Sequence, residues 1–138
     1  MASHRETLTV TTSGRTQVVN ISKVISERLA ASPVTDGVLC VSVRHSTCAI
    51  TINEDEAGLT KDLERVAATL LDPLRGSRPF LHDRIDDNAQ SHLTACVLGP
   101  SVTVPVEGGR ALLGTWQSFL LVELDGPRSR DVDVTVVG

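Results

Sequence analysis

The sequence predicts an α+β fold in which one or two antiparallel sheets are partly covered by helices. Strand-like runs occur as neighbouring pairs in the first half of the chain and as a group of three at its end, with helical patterns between these groups. The strand–helix–strand alternation that builds parallel sheets is not seen. Because 138 residues with 41% hydrophobic content suffice for one core, we predict a single domain spanning residues 1–138.

The first two predicted strands form a hairpin followed by a helix. β-Branched residues alternate with other residues over residues 6–12 and over residues 16–22, on either side of the turn-forming Ser13-Gly14-Arg15. From Ile21 the apolar residues adopt the spacing of a short helix. We expect it to end at Ser32-Pro33, because proline does not continue a helix.

The next two predicted strands lead into a longer helix. Residues 37–43 and 48–53 are short apolar runs of strand length, with His45 in the turn between them. Leucine, valine and alanine then recur at helical spacing from Leu59 to Leu71. Acidic residues at 54–56 precede this helix, where carboxylates are favourable at a helix N-terminus.

A long loop, a short helix and three strands complete the chain. Residues 72–88 are rich in proline, glycine, aspartate and arginine, and they predict a loop that contains His82. A short helix begins at Ala89 and ends at Gly99-Pro100. The remaining strand-like runs are residues 101–106, 111–124, with a break at Gly114, and 131–137.

Composition and charge argue against several classes of partner. The formal net charge is -4, and acidic and basic residues are mixed without a long block of one sign. We therefore expect no nucleic acid or membrane partner, and three aromatic residues are too few for a base-stacking platform. No apolar run approaches the roughly 20 residues that span a bilayer, and the start lacks an apolar signal core, so we expect a cytoplasmic protein. The three cysteines show no paired spacing and are expected to be free thiols.

Three histidines offer the clearest potential for chemistry near neutral pH. His45, His82 and His92 each lie beside polar groups that can orient an imidazole, whereas His4 lies in what we expect to be a frayed N-terminus. Their separations of 37 and 10 residues match no local metal-binding motif, so the fold must bring them together. Three roles remain open: satisfied polar loop residues, acid–base groups around a phosphate, or ligands of a divalent metal such as zinc or magnesium.

Three polar segments and two cysteines are further candidates. Within Asn53-Glu54-Asp55-Glu56, Glu54 could orient a ring or hold a cation, while we expect most of the others to cap the following helix. Gly114-Thr115-Trp116-Gln117 places a glycine inside a strand, which indicates either a ligand contact or a bend with a core tryptophan. Asp125-Gly126-Pro127-Arg128 predicts a turn near which Arg128 or Arg130 could bind a phosphate. We expect Cys48 and Cys96 to be buried packing residues.

An ordered series of segments resembles the YjbQ-like proteins, which are also described as secondary thiamine-phosphate synthase enzymes. The series begins with the run from His45 to Glu54, followed by His82 and Ser91-His92. It continues with Leu98-Gly99, Val104-Pro105-Val106, Gly109-Arg110, Gly114-Thr115-Trp116-Gln117 and Asp125-Gly126-Pro127-Arg128. These segments cover nearly the whole chain.

Two positions depart from the family pattern. Cys48 stands where a small alanine or serine is usual, which would leave a thiol lining the pocket. The stretch between His82 and His92 lacks a common Glu-Gly pair, for which Asp86 or Asp87 could substitute.

The resemblance implies an α+β fold with β-sandwich-like sheets, two main helices and a short third helix, and assembly as a homotrimer. It implies a pocket in which His45, His82, His92 and Glu54 are catalytic, with the three histidines as ligands if a metal is bound. The residues expected to bind the substrate are Ser46, Thr47, Asn53, Thr115, Gln117 and Arg128. The implied activity is a weak joining of a pyrimidine diphosphate to a thiazole phosphate with release of pyrophosphate.

The leading hypothesis is therefore an enzyme pocket for a phosphorylated or otherwise anionic small molecule. One alternative is a metal-dependent, hydrolase-like site in which the three imidazoles hold an ion that activates water. The other is a non-catalytic trimeric protein that binds an anionic metabolite.

Overall fold

The computed structural model describes residues 1–76 and 78–138. The elements in this part of the chain are β1 (Ser3–Thr11), β2 (Gln17–Asn20), α1 (Ser22–Ala30), β3 (Gly37–Val43), β4 (Cys48–Asn53), α2 (Ala57–Thr69), α3 (Asp72–Arg75), a short helical turn (Leu81–Arg84), α4 (Ala89–Leu98), β5 (Ser101–Glu107), β6 (Arg110–Ala111), β7 (Ser118–Glu123) and β8 (Ser129–Val137).

The strands form two antiparallel sheets. The larger sheet has the order β1-β8-β3-β5-β6, and the smaller has the order β2-β7-β4. Residues Phe119 to Glu123 of the central strand β7 are all buried, because protein covers both faces of the smaller sheet. The predicted α+β fold with antiparallel sheets is confirmed.

Two hydrophobic clusters hold these layers together. Between the sheets, Val41 and Val134 of the larger sheet belong to the same cluster as Leu121 of the smaller one, and Ile25 of α1 joins them. On the other face of the smaller sheet, a second cluster joins residues of β4 and β7 to α2 and α4; its buried members include Ala49, Ala67, Ala95, Leu120 and Val122. This packing places the start of α4 beside the end of β7.

The predicted opening hairpin is wrong, because β1 and β2 belong to different sheets. β1 pairs with β8, and β2 pairs with β7. An alternating pattern identifies a strand but does not identify its partner, which is set here by residues more than a hundred positions away. The N-terminus is also not frayed, since His4 lies opposite Val136 in the β1–β8 ladder.

Most other predicted elements are confirmed, with local differences. β3, β4 and α4 occupy the predicted positions, while α3 and the turn Leu81–Arg84 lie within the predicted loop 72–88.

Cys48 is buried as predicted, but Cys96 is exposed because it lies on the solvent side of α4. Trp116 is 72% exposed, which excludes the core role considered for it. In the described part of the chain, no helix has the length and apolar character needed to cross a membrane.

Candidate functional site

The strand register places the predicted site residues at two ends of the smaller sheet. Cys48 pairs with Glu123, and Asn53 pairs with Ser118. The histidine end, as we call it, carries His45, Ser46 and Thr47 just before β4 and Arg128 beyond the end of β7. The amide end carries Asn53, Glu54, Thr115 and Gln117. Because β7 spans Ser118–Glu123, the two ends are about 17 Å apart.

His82 and His92 form a pair of adjacent rings at the histidine end. Their ring centroids are 4.9 Å apart and their planes are inclined at 80°, which is an edge-to-face arrangement. His82 is exposed and His92 is half-buried, so the pair is accessible to solvent. Ser91 Oγ donates to the Leu124 carbonyl over 2.6 Å, and this bond fixes the first turn of α4 to the end of β7.

Asn88 determines which nitrogen of His82 carries a proton. Asn88 Nδ2 donates to Asp125 Oδ2 over 3.0 Å, and Asn88 Oδ1 lies 3.1 Å from His82 Nε2. Since an ionised carboxylate only accepts hydrogen bonds, the amide NH₂ must face Asp125 and the amide oxygen must accept from His82. His82 Nε2 is therefore the protonated nitrogen, and the neutral ring keeps a lone pair on Nδ1.

Asp125 connects this histidine to two arginines. Arg128 Nη2 donates to Asp125 Oδ2 over 3.0 Å, and Arg15 Nη2 lies 3.5 Å from Oδ1. Burial alone would raise the pKa of Asp125, but the hydrogen bonds from Asn88 and Arg128 and the charges of both arginines hold the pKa below its ordinary value. The side chains of Arg15 and Arg128 are 51% and 53% exposed, so both keep donors that a bound anion can reach.

Two pockets border the first turn of α4. An apolar pocket of about 390 Å³ is lined by both rings of the histidine pair together with Phe80, Leu81 and Leu93. A polar pocket of about 300 Å³ is lined in part by Arg15, Gln90 and Ser91. The same helical turn therefore separates an apolar surface from a polar one that also carries Arg75 and Asp87.

A buried ion pair between Arg130 and Glu123 lies next to the histidine end. Arg130 Nη2 donates to Glu123 Oε1 over 2.6 Å, and the two side chains are 4% and 0% exposed. The Thr12 hydroxyl and the Asp125 backbone amide donate to the same carboxylate. Burial would raise the pKa of Glu123, but these hydrogen bonds and the charge of Arg130 keep it below its ordinary value. Arg130 is enclosed by protein and, contrary to one prediction, is not available to a phosphate.

His45 and Thr47 are held by the segment around Arg130. The carbonyl and hydroxyl oxygens of Thr47 accept from Arg130 Nη2 at 3.0 and 2.9 Å, and Thr47 is buried. His45 Nε2 accepts from the Asp131 backbone amide over 2.9 Å, so the neutral ring carries its proton on Nδ1. Ser46 is exposed. The Thr47 hydroxyl thus supports the ion pair, whereas His45 and Ser46 reach the surface.

Cys48 does not line a pocket as the sequence suggested. Its side chain is buried at the start of β4, and burial raises the pKa of the thiol to about 11. A thiol with this pKa stays protonated near neutral pH and is a poor nucleophile.

The amide end has its own hydrogen bonds. Asn53 Oδ1 accepts from the Glu54 amide over 2.8 Å, and Gln117 Oε1 accepts from the Gly114 amide over 2.7 Å. Glu56 caps α2 by accepting from two backbone amides of its first turn, whereas Asp55 accepts from the side chains of Asn20 and Thr60, so the predicted capping is confirmed for Glu56 alone. Glu54 follows β4 whereas His45 precedes it, so Glu54 does not orient the His45 ring of its own chain as predicted.

The residues of one chain do not fit the predicted zinc or magnesium centre. Over residues 1–76 and 78–138, no three His, Cys, Asp or Glu side chains lie close enough together to hold a metal ion. His82 and His92 are neighbours, but His45 is bound to the Asp131 amide and Glu54 lies at the amide end. A zinc site needs three or four protein ligands, and magnesium prefers oxygen ligands.

Sequence reasoning missed Asn88 and Glu123. Asn88 precedes α4 and has the appearance of a helix cap, but its side chain makes no capping hydrogen bond and instead joins Asp125 to His82. Glu123 ends an apolar run in β7. A carboxylate in such a run signals a buried cationic partner, which here is Arg130.

Comparisons with known proteins agree with this fold over the whole chain. The family model described as UPF0047 protein YjbQ-like matches residues 6–138. A UPF0047 protein of Methanothermobacter thermautotrophicus is 43% identical, with 100% of this chain and 94% of that protein covered. UPF0047 protein YugU of Bacillus subtilis is 31% identical, with coverage of 96% and 98%.

Solved structures of similar proteins have the same fold as this chain. A YbjQ-like protein of unknown function from Sulfolobus solfataricus is similar with a TM-score of 0.92 and 36% identity, covering 99% of this chain and 98% of that one. A hypothetical protein from Aeropyrum pernix is similar with a TM-score of 0.90 and 38% identity, covering 98% of both chains. The chain therefore belongs to the YjbQ-like family of UPF0047 proteins.

Proposed function

We propose that the histidine end binds a phosphorylated or otherwise anionic small molecule and that His82 exchanges a proton with it. The observation that carries this proposal is the hydrogen-bonded series Asp125–Asn88–His82 beside His92. The series fixes one nitrogen of an exposed imidazole and leaves a lone pair on the other. Histidines that act as general acids or bases are oriented in this way by a second group.

The exposed guanidinium groups are the part of the site that suits an anionic ligand. Asp125 is shared by Asn88, Arg128 and Arg15, and Arg15 also pairs with the exposed Asp87 over 3.6 Å, so two carboxylates balance the two guanidinium groups. Guanidinium donors match phosphate oxygens, often two at a time. The apolar pocket beside the histidine pair offers room for the organic part of such a molecule.

The reaction that the family resemblance implies uses these parts in a consistent way. A thiazole nitrogen forms a bond to the methylene carbon of the pyrimidine diphosphate while the bond from this carbon to the diphosphate oxygen breaks. The electron pair of the broken bond leaves with pyrophosphate. Arg15 and Arg128 would stabilise the leaving diphosphate, and a protonated His82 or His92 would donate to it. We assign no step to a metal, because the described residues of one chain do not bring three suitable ligands together.

We also propose that the protein works as a homotrimer. Large apolar side chains stand exposed around the histidine end, including Leu81 at 72% and Ile85 at 86%. Exposed apolar surface of this kind marks contact sites between proteins. A cyclic trimer joins two different surfaces of each subunit. The amide end of one subunit, with Asn53, Glu54, Thr115 and Gln117, would then meet the histidine end of its neighbour.

The test of the proposed function is product formation from the two phosphorylated precursors. We expect the wild-type protein to release pyrophosphate and form thiamine phosphate, and His82→Ala and His92→Ala to lose activity roughly 100-fold or more. His4→Ala is the matched control, because His4 lies in the β1–β8 ladder and its loss should leave activity unchanged. Circular dichroism and the oligomeric state of each variant check that the fold is kept.

Two outcomes would contradict the proposal. Full activity in both His82→Ala and His92→Ala would reject the histidine end as the site. Binding of the precursors without any product would reject catalysis and favour the alternative of a non-catalytic binding protein.

A further inference from the structure

A separate pocket of about 660 Å³ lies at the amide end, on the side of α1. It is bounded by α1, by the hairpin between β5 and β6, and by the start of β7. Its volume is in the range of known small-molecule sites. Within one chain the histidine end lies at the opposite end of β7, so the lining of this pocket does not include His82 or His92 of the same chain.

The base of this pocket is apolar. Leu29 of α1 and Phe119 of β7 line it, and they are 2% and 1% exposed because they also belong to the core between the sheets. Ala111 and Leu113 continue the same surface. Core residues have little freedom to move, so the base of the pocket is rigid and suits an apolar group of a ligand.

The polar side chains of the pocket present hydrogen-bond donors. Ser22 Oγ accepts from the Phe119 amide over 2.7 Å, and Ser32 Oγ accepts from the Val34 amide over 3.0 Å. Gln117 Oε1 accepts from the Gly114 amide over 2.7 Å. Because these oxygens already accept from backbone amides, each hydroxyl keeps its O–H, and Gln117 keeps its NH₂ group, for a ligand.

The only charge on the described lining of this pocket is positive. Arg110 of β6 is exposed at its edge and forms no ion pair with any carboxylate among the described residues, and no acidic side chain lines the pocket. A guanidinium with five donors, together with the donors of Ser22, Ser32 and Gln117, matches the oxygens of an anion. A donor-rich or cationic ligand group would find no such complement.

We propose that this pocket is a second ligand site, which binds a small organic anion with its apolar body on Leu29 and Phe119 and its carboxylate or phosphate group at Arg110. The site does not depend on the histidine pair. It could hold an effector or a second substrate, and its recognition chemistry is the same in both cases.

The test is an NMR titration of the isotopically labelled full chain with three probes that share a phenyl body. Phenylacetate and phenyl phosphate carry the two candidate anionic groups, and 2-phenylethanol carries no charge. We expect the anions to shift the Gln117 side-chain amide and the Gly108 and Gly109 backbone amides, and to bind at least about tenfold more tightly than the alcohol. The better of the two anions identifies the preferred group.

Variants separate this site from other anion-binding surfaces. Arg110→Gln should weaken binding of the preferred anion roughly tenfold or more, whereas Arg5→Gln should not, because Arg5 is an exposed arginine on β1 at the opposite edge of the larger sheet from β6. His92→Ala should also leave the affinity unchanged. The proposal is overturned by an equal response to the alcohol, by an unchanged affinity in Arg110→Gln, or by no shift at these residues up to about 10 mM probe.

Discussion

Asn88 is the residue on which the candidate site depends most. Its amide donates to a carboxylate on one side and accepts from an imidazole on the other. An aspartate at this position would face Asp125 with a like charge, and a leucine would remove the hydrogen bond that Asp125 and His82 each make to this residue. Among the common side chains of this size, only asparagine satisfies both neighbours at once.

The buried Glu123 carboxylate makes stability depend on pH in a definite direction. Its pKa in the folded protein lies below the ordinary value of 4.5, so the unfolded chain takes up a proton first as the pH falls. The stabilisation is therefore complete above that pH and is lost as the pH falls towards the lower folded-state pKa. We expect the free energy of unfolding to decrease as the pH falls below about 5, and Glu123→Gln to make this decrease shallower by up to about 1.4 kcal/mol per pH unit.

Urea denaturation at a series of pH values measures this effect. Glu107→Gln is the matched control, because Glu107 is an exposed carboxylate on β5 and its replacement should leave the slope unchanged. The same slope in wild type and Glu123→Gln would show that the ion pair with Arg130 does not contribute to acid stability.

At the scale of elements, the sequence predicted what depends on local pattern. The apolar runs of β3 and β4 identify these strands, although only alternate residues of β3 and the first half of β4 are buried, and Gly99-Pro100 ends α4 as expected. The pairing of β1 with β8 could not be predicted, because alternation is the same whichever strand lies alongside. The predicted hairpin failed for this reason.

The turn between β7 and β8 shows a further limit of local pattern. Asp125-Gly126-Pro127-Arg128 is predicted as a turn, and the structure places it in the bent connection between β7 and β8. A side chain at Gly126 would contact the Gly14 carbonyl oxygen and come within 2.7 Å of Glu123 Cγ. Glycine is therefore required here by the close approach of the segment after β1, which is distant in sequence.

The candidate site was predictable only in part for the same physical reason. Loop 72–88 has a composition typical of functional loops, and it does contribute His82. The contact of His82 with His92 and the link through Asn88 to Asp125 depend on how α4 packs against the end of β7. His45 and Glu54 lie at opposite ends of β4. The strand pattern alone does not show which of these ends lies beside the other histidines.

At the scale of the whole molecule, the distribution of exposed apolar residues bears on assembly. We expect Ile85→Arg to disrupt the proposed trimer, because a charge placed in a protein contact is costly to desolvate. Val38→Arg is the matched control, since Val38 is 45% exposed on β3 of the larger sheet, away from the histidine end. Analytical ultracentrifugation measures the mass of the wild-type protein and of both variants in solution.

If wild type and Val38→Arg are trimers and Ile85→Arg is a monomer, the result supports assembly through the histidine end. A monomeric wild-type protein would contradict the trimer, and an intact Ile85→Arg trimer would place the contact on another surface.

The most direct measurement of the central claim is an NMR titration with pyrophosphate that follows the imidazole signals of all four histidines. Single His→Ala variants assign the signals. If the His82–His92 pair is the anion-binding centre, these two signals shift together with one dissociation constant while the His4 signal does not move. Shifts of equal size in all four imidazoles, or no shift in His82 and His92, would contradict the account.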